Sequence, residues 1–296
     1  MNTTEESMPV VSHEPLFNRI AVIGIGLIGG SLARACREGI ARCVIGLDVD
    51  QTHLEQAVGL GLVDQAGQLP TGVEGADLVI VAVPVAAIPG VVRAIAPHLT
   101  PGCIVTDVGS VKGDLVAEVE SGIPAGRPYV AGHPIAGTER SGPRAATPAL
   151  FRDTLCVLTP TSHTPPEALE KVKRLWEMVG SKVVLMDPFR HDRIFALVSH
   201  LPHVVAYALI RTLPILAEEG RQLLQFSAGG LRDFTRIAAS DPVMWRDILL
   251  RNRKEVLEAM ANFQEVLQRF EEMINMQDAA GLKEEFQQAK QIREQL

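Results

Sequence analysis

The sequence predicts two domains, an α/β domain on a mostly parallel, doubly wound sheet and an all-α domain after it. Three observations lead there. Short β-branched runs alternate with helical patterns as far as residue 187, those runs are apolar throughout rather than alternating, and no strand pattern follows Asp187-Pro188. Uninterrupted apolar strands belong to parallel sheets buried on both faces.

The strand candidates are RIAVIG (19–24), CVIGLD (43–48), LVIVAV (78–83), CIVTDV (103–108), YVAG (129–132), LCVLTP (155–160) and KVVLMD (182–187). Asp187 is a good N-cap and Pro188 suits the first helical position. RHDRIFALVSHLPHVVAYALI then reads as one long helix, and SDP at 240–242 opens another by the same device. The domain boundary falls near 186–190, giving domains of 17–187 and 188–296. Leu249 is followed by Val256, Met260, Phe263, Leu267, Phe270 and Ile274, spaced four and three from Val256 onward. Such a heptad-like seam faces either the core or another helix or subunit.

The chain has 296 residues, 47% of them hydrophobic, enough for a sizeable core. A net charge of −7 argues against a nucleic-acid partner. Cys36, Cys43, Cys103 and Cys156 show no CxxC spacing and read as free, buried thiols. The first residues are polar and acidic with no basic or apolar signal region, so no secretory signal is expected. The apolar run LVIVAVPVAAIPGVV is short and is broken by Pro84 and Pro89, so no membrane span is expected and the cytoplasm is the expected location.

In VIGIGLIGGSLARA, Gly24, Gly26 and Gly29 stand in G-x-G-x-x-G register around Leu27 and Ile28, after an apolar strand and opening a helix. That pattern makes a tight turn and offers helix N-terminal N–H groups to a pyrophosphate. Asp48 closes the next strand 24 residues after Gly24, against the usual spacing of about 20. A carboxylate there binds ribose hydroxyls and repels a 2′-phosphate, which favours NAD over NADP. Asp50 competes but lies past the strand. Val83-Pro84 ends the third strand where the nicotinamide half would lie, although Pro84 also serves as a plain strand terminator.

Ser110, in TDVGSVKGDL, follows the fourth strand as a hydroxyl at the carboxyl end of the sheet or as a helix cap. Lys112 either holds an anion or is solvated. His133 follows the next strand, in the loop AGHPIAGTERSG, at the same edge. An imidazole titrates in the range needed to take a hydroxyl proton while hydride leaves the carbon. On a helix, Ser199, His200 and His203 fall within an arc of about 100°. Two histidines three apart suit zinc, but no further ligand pair with metal spacing accompanies them, so no metal is expected. Asp233 and Arg236 stand three apart, with Trp245 beyond. Arg236 suits bidentate carboxylate recognition, or forms a surface ion pair with Asp233.

Together GIGLIGGSLA, DVGSVK, GHPIAGTERSG, SHLPH and DFTRIAASDPVMWRDI resemble the prephenate/arogenate dehydrogenase family of tyrosine biosynthesis, in family order from about residue 19 to 275. The resemblance implies an NAD(P)-binding Rossmann-type domain, read as NAD-binding from Asp48, followed by an all-α helical dimerisation domain, and hence a homodimer. It also implies oxidative decarboxylation of prephenate, arogenate or both. By resemblance, His133 accepts the hydroxyl proton, Ser110 hydrogen-bonds the hydroxyl, and Arg236 pairs with a substrate carboxylate. Ser199, His200 and His203 lie against the substrate side chain, Glu139 joins Asp233 and Arg236 in a gating ionic network, and Trp245 lines the pocket. The competing readings are a β-hydroxyacid or 6-phosphogluconate-type dehydrogenase and a non-catalytic NAD-sensing protein. The first uses a lysine base from its helical domain, and no lysine occurs from 183 to 253.

Overall fold

The computed structural model describes residues 14–138, 140–213 and 226–295. Six strands form one parallel sheet: β1 (Phe17–Ile23), β2 (Ala41–Leu47), β3 (Gln65–Ala66), β4 (Leu78–Val81), β5 (Ile104–Asp107) and β6 (Tyr129–Val130). Their order is β3-β2-β1-β4-β5-β6. The direction of winding reverses between β1 and β4, and the splayed connections leave a crevice at the carboxyl ends of those two strands. Helices α1 (Leu27–Cys36), α2 (Gln51–Gly59), α3 (Ile88–Ile95) and α4 (Gly113–Gly122) lie between the strands in sequence. Helix α3 shows why they pack on the sheet: Ile88, Val92 and Ile95 recur on one stripe, and all three are buried.

A second sheet of three strands runs β7 (Gly132–Ile135), β8 (Leu155–Leu158), β9 (Lys182–Leu185), with α5 (Pro166–Met178) between β8 and β9 in sequence. Helix α5 buries Ala168, Val172, Leu175 and Trp176, and the Trp176 ring meets Phe151 edge-on at 5.3 Å.

Three details differ from the sequence reading. The run 129–132 is not one strand. It breaks at Ala131 and changes partner, β6 pairing in parallel with β5 and β7 antiparallel with β8. His133 therefore lies in a strand, opposite Val157, rather than in a loop. β9 is not buried on both faces, because it is an edge strand with one neighbour, and Lys182, Val184 and Leu185 are exposed. β3 is two polar, exposed residues with no apolar signature, and the sequence reading passes over it.

Contacts divide the chain after His191, with residues 241–248 grouped into the first unit; the sequence puts the division at 187/188. Asp187 caps α6 (Pro188–Phe195) as expected, its Oδ1 accepting from the N–H groups of Phe189 and Arg190 at 2.9 Å. A π-helical turn (Ala196–His200) and α7 (Leu201–Thr212) follow. By length and composition, Pro188–Thr212 is apolar enough to cross a membrane, and 22% of its most apolar window is buried. Next come α8 (Gly229–Thr235), a 3-10 turn (Arg236–Ala239), α9 (Pro242–Arg251), α10 (Arg253–Asn275) and α11 (Ala279–Arg293). Asp241 caps α9 through the N–H of Met244 at 2.8 Å.

The small core of the second unit joins Ala196, Val256 and Ala259, with Leu201, Leu249 and Met260 packed against it. The seam thus begins as a core stripe. Further along, Phe270 stacks on Phe286 of α11 at 5.6 Å, and Leu267 and Ile274 are exposed.

The tightest steric requirement is at the first turn, where a Cβ on Gly29 would stand 1.9 Å from the Gly24 carbonyl oxygen. Gly29→Ala is expected to cost about 1–3 kcal/mol through overpacking. The melting temperature then falls by several degrees and NAD affinity drops; an unchanged melting temperature contradicts this geometry.

Candidate active site

The glycine turn of α1 is shaped for an anionic ligand. Gly24 has φ +90°, and a Cβ there would meet the Ala82 carbonyl oxygen at 2.4 Å. Gly26 is the N-cap of α1, no side chain caps the helix, and a Cβ at Gly26 would meet nothing within 4 Å. The first-turn N–H groups of a helix, those of Leu27 and Ile28 here, are left without intrahelical partners and are the ones a pyrophosphate would meet. Asp48 directly follows β2, and its Oδ2 accepts from the Ile25 N–H at 2.8 Å, so the carboxylate assigned to the ribose also fastens the glycine turn. Asp50 has another task. It caps α2, and the bond from the Thr52 N–H holds its carboxyl below the usual range. Val83, half-buried, and Pro84, exposed, follow β4, and Val83 Cγ1 would stand 3.1 Å from a Cβ on Gly24. The N–H of Thr147 reaches the buried Ser31 hydroxyl of α1 at 2.9 Å, so the chain beyond β7 returns to the cofactor helix.

The chemistry-bearing part is organised by Asp107, the last residue of β5. Its Oδ2 accepts from the Gly109 N–H at 2.8 Å and from Lys112 Nζ at 2.5 Å. Its Oδ1 accepts from the Tyr129 hydroxyl at 2.8 Å and the Gly132 N–H at 3.2 Å. One carboxylate thereby ties the loop of Ser110 to the strand of His133. Lys112 is fully buried, so the solvated reading does not hold. Lys112 also occupies the N-cap position of α4, where no side chain caps the helix, so Ser110 is not the cap. Ser110 is half-buried, two residues before it. Burial, and then the negative Asp107, push the Tyr129 hydroxyl well above the ordinary phenol range, so Tyr129 stays a donor.

His133 is 9% exposed, and its Nδ1 lies 2.8 Å from Nε2 of His191, which is fully buried on α6. The two rings meet edge-on at 5.0 Å and 63°. The sequence reading passes over His191. Inside RHDRIF it belongs to no motif, and its one signal is a place one turn into a helix opened by Asp-Pro.

In the helical unit, Ser199, His200 and His203 do not share one face. The π turn is wider than an α turn and rotates the residues it contains relative to those that follow. His200 points inward, with Nδ1 3.0 Å from Asn252 Nδ2, which also donates to the Asp192 carbonyl at 2.8 Å. His203 and Ser199 are half-buried and linked, the imidazole Nδ1 lying 2.8 Å from the Ser199 carbonyl oxygen. Burial, reinforced by the positive charge of Arg236, lowers the His203 pKa, so the ring is neutral at pH 7. Arg236 and Asp233 are exposed, and Trp245 is buried within the segment grouped with the first unit. Glu139 lies outside the described residues. Among the described residues, no group of three His, Cys, Asp or Glu side chains is placed to hold a metal ion.

Comparison with known proteins adds an independent line. The model of the prephenate dehydrogenase nucleotide-binding domain matches residues 32–185, and that of the prephenate dehydrogenase dimerization domain matches residues 187–288. The chain is 38% identical to a cyclohexadienyl dehydrogenase of Zymomonas mobilis over 281 residues, 94% of this chain and 96% of that one. It resembles the crystal structure of prephenate dehydrogenase from Aquifex aeolicus in complex with hydroxyphenyl propionate and NAD+, at 37% identity and a TM-score of 0.89, covering 94% of this chain and 98% of that one. A Synechocystis arogenate dehydrogenase structure matches at 31% identity and a TM-score of 0.81, covering 94% and 99%.

The buried pair gives a stability test. Lys112→Met leaves the Asp107 carboxylate uncompensated in a dry site, which costs about 3–5 kcal/mol. The double variant Asp107→Asn/Lys112→Met is expected to lose less than Lys112→Met alone in urea unfolding. A double variant as unstable as the single one contradicts a charged pair.

Proposed function

The chain belongs to the prephenate dehydrogenase family, and we propose from that premise that Ser110 and His133 carry out its NAD-dependent oxidative decarboxylation of prephenate, arogenate or both. The observation carrying this reading is the Asp107 carboxylate, which binds the loop of one residue and the strand of the other at the carboxyl edge of the sheet. The glycine turn, with Asp48 beside it, would hold NAD, which when bound supplies the hydride acceptor.

The substrate ring carries a hydroxyl on C4 and a carboxylate on C1. His133 accepts the C4 hydroxyl proton at Nε2, the nitrogen not paired with His191. Ser110 hydrogen-bonds the same hydroxyl and fixes its direction. As the C4–H bond gives up its hydride, the C1–carboxylate bond breaks and its electron pair moves through the ring to the C4 oxygen. That oxygen takes a proton back from His133, leaving a phenol and carbon dioxide. Aromatisation supplies the driving force, so no residue need activate the carboxylate as a leaving group.

Arg236, with Asp233 three residues before it, pairs with a substrate carboxylate through two parallel hydrogen bonds. Ser199 and neutral His203 contact the side chain, which is keto in prephenate and amino in arogenate. His200, buried on Asn252, supports that helix from within, and Trp245 lines the pocket. The helical unit also mediates a homodimer. Leu197, Val198, Leu257, Leu267 and Ile274 are exposed in a single chain, and a second copy covering them accounts for the low burial of an apolar helix that carries Ser199, His200 and His203.

The test is NADH and carbon dioxide formation with prephenate and with arogenate, using NAD and then NADP. Equal amounts of both products from at least one substrate are expected, with NAD preferred; no turnover with either overturns the reading. His133→Asn is expected to lose about 10²–10⁴-fold in kcat while still binding NAD; near-normal turnover removes His133 from the role. Arg236→Gln should raise KM for the substrate far more than for NAD. An unmoved substrate KM makes Arg236 a structural ion pair.

A further inference from the structure

The histidine pair in the first unit carries an inference that rests on reading His133 as the base. Two imidazole nitrogens 2.8 Å apart share one proton, so one donates and the other accepts. If His191 donated from Nε2, neutral His133 would carry its proton on Nε2 and have no lone pair for the substrate. If His133 donates from Nδ1, its Nε2 is bare and basic. His191 must then be the acceptor, with its own proton on Nδ1. When His133 takes the substrate proton, its Nδ1–H···Nε2 bond to His191 becomes charge-assisted and strengthens.

The placement suits this task. His191 is fully buried one turn into α6, its N–H bonded to the Asp187 carbonyl at 2.9 Å in a capped first turn. A ring so held has little freedom to leave its partner. Among the described residues, the charged and titratable side chains packed around β7 have partners or are held protonated. Asp107 and Lys112 neutralise each other. Burial pushes the Cys156 thiol on β8 and the Tyr129 hydroxyl well up.

We infer that His191 is a positioning residue for the reaction, holding His133 in the Nδ1–H tautomer and stabilising its imidazolium form. His191→Phe removes the acceptor, whereas His191→Gln keeps a polar group near the place of Nε2. The Phe variant is expected to lose about tenfold or more in kcat with NAD affinity unchanged. The acidic limb of its kcat/KM profile should also move to lower pH, because the imidazolium has lost its partner. Gln should restore both in large part. Wild-type kcat and pH profile in the Phe variant overturn the inference. So does a loss of activity with an unmoved limb that Gln does not repair, which marks a packing role.

A second measurement needs no variant. Nitrogen-15 NMR of histidine-labelled wild-type protein should show neutral His133 protonated at Nδ1 and His191 bare at Nε2. His133 protonated at Nε2 overturns the inference whether or not His191→Phe folds. If His133→Asn retains turnover, the base assignment fails on its own, and the NMR result still decides the pairing.

Discussion

The active-site half of the first unit depends on one buried carboxylate. Asp107 ends a central strand, and its two oxygens accept four hydrogen bonds from two directions. Without a cation beside it, such a group would be costly to bury. Lys112 supplies that cation from the loop that carries Ser110, so the charge that makes Asp107 tolerable also fastens the loop. The Gly132 N–H and the Tyr129 hydroxyl then fix the break between β6 and β7. The chain leaves the parallel sheet there and delivers His133 in a different strand. A polar network with every bond made rigidifies its members; missing one partner, it becomes a liability.

Other parts of the fold were legible in the sequence, for specific reasons. GIGLIGG is readable because backbone approach forbids side chains at Gly24 and Gly29, whichever ligand is bound. The helix starts at Asp187-Pro188 and Asp241-Pro242 are readable because capping is local chemistry. What was not legible depends on contacts distant in sequence. His191 meets His133 across 58 residues, and no local pattern announces that pairing. The strand switch at Ala131 is set by partners on β5 and β8. Lys112 looks like any solvated lysine until Asp107 is placed five residues before it on a buried strand end. The inward turn of His200 comes from a π-helical turn that an assumed rotation of 100° per residue does not contain.

The two units divide the work by chemistry. The parallel sheet collects backbone N–H groups, a hydroxyl and an imidazole at one edge, as groups fixed by strands and a capped helix. In the helical unit, burial and the positive charge of Arg236 lower the His203 pKa. A lowered pKa keeps a second cation from standing beside Arg236. Beyond the small core of this unit, Leu267 and Ile274 of the seam are exposed.

The central claim is that Asp107 acts on catalysis through the groups it positions. A double-mutant cycle on kcat measures this directly, with Asp107→Asn, His133→Asn and the two combined. If Asp107 works through His133, its replacement slows the wild-type enzyme strongly and adds little once His133 is gone. Additive losses, with Asp107→Asn costing the same factor in both backgrounds, would contradict the account.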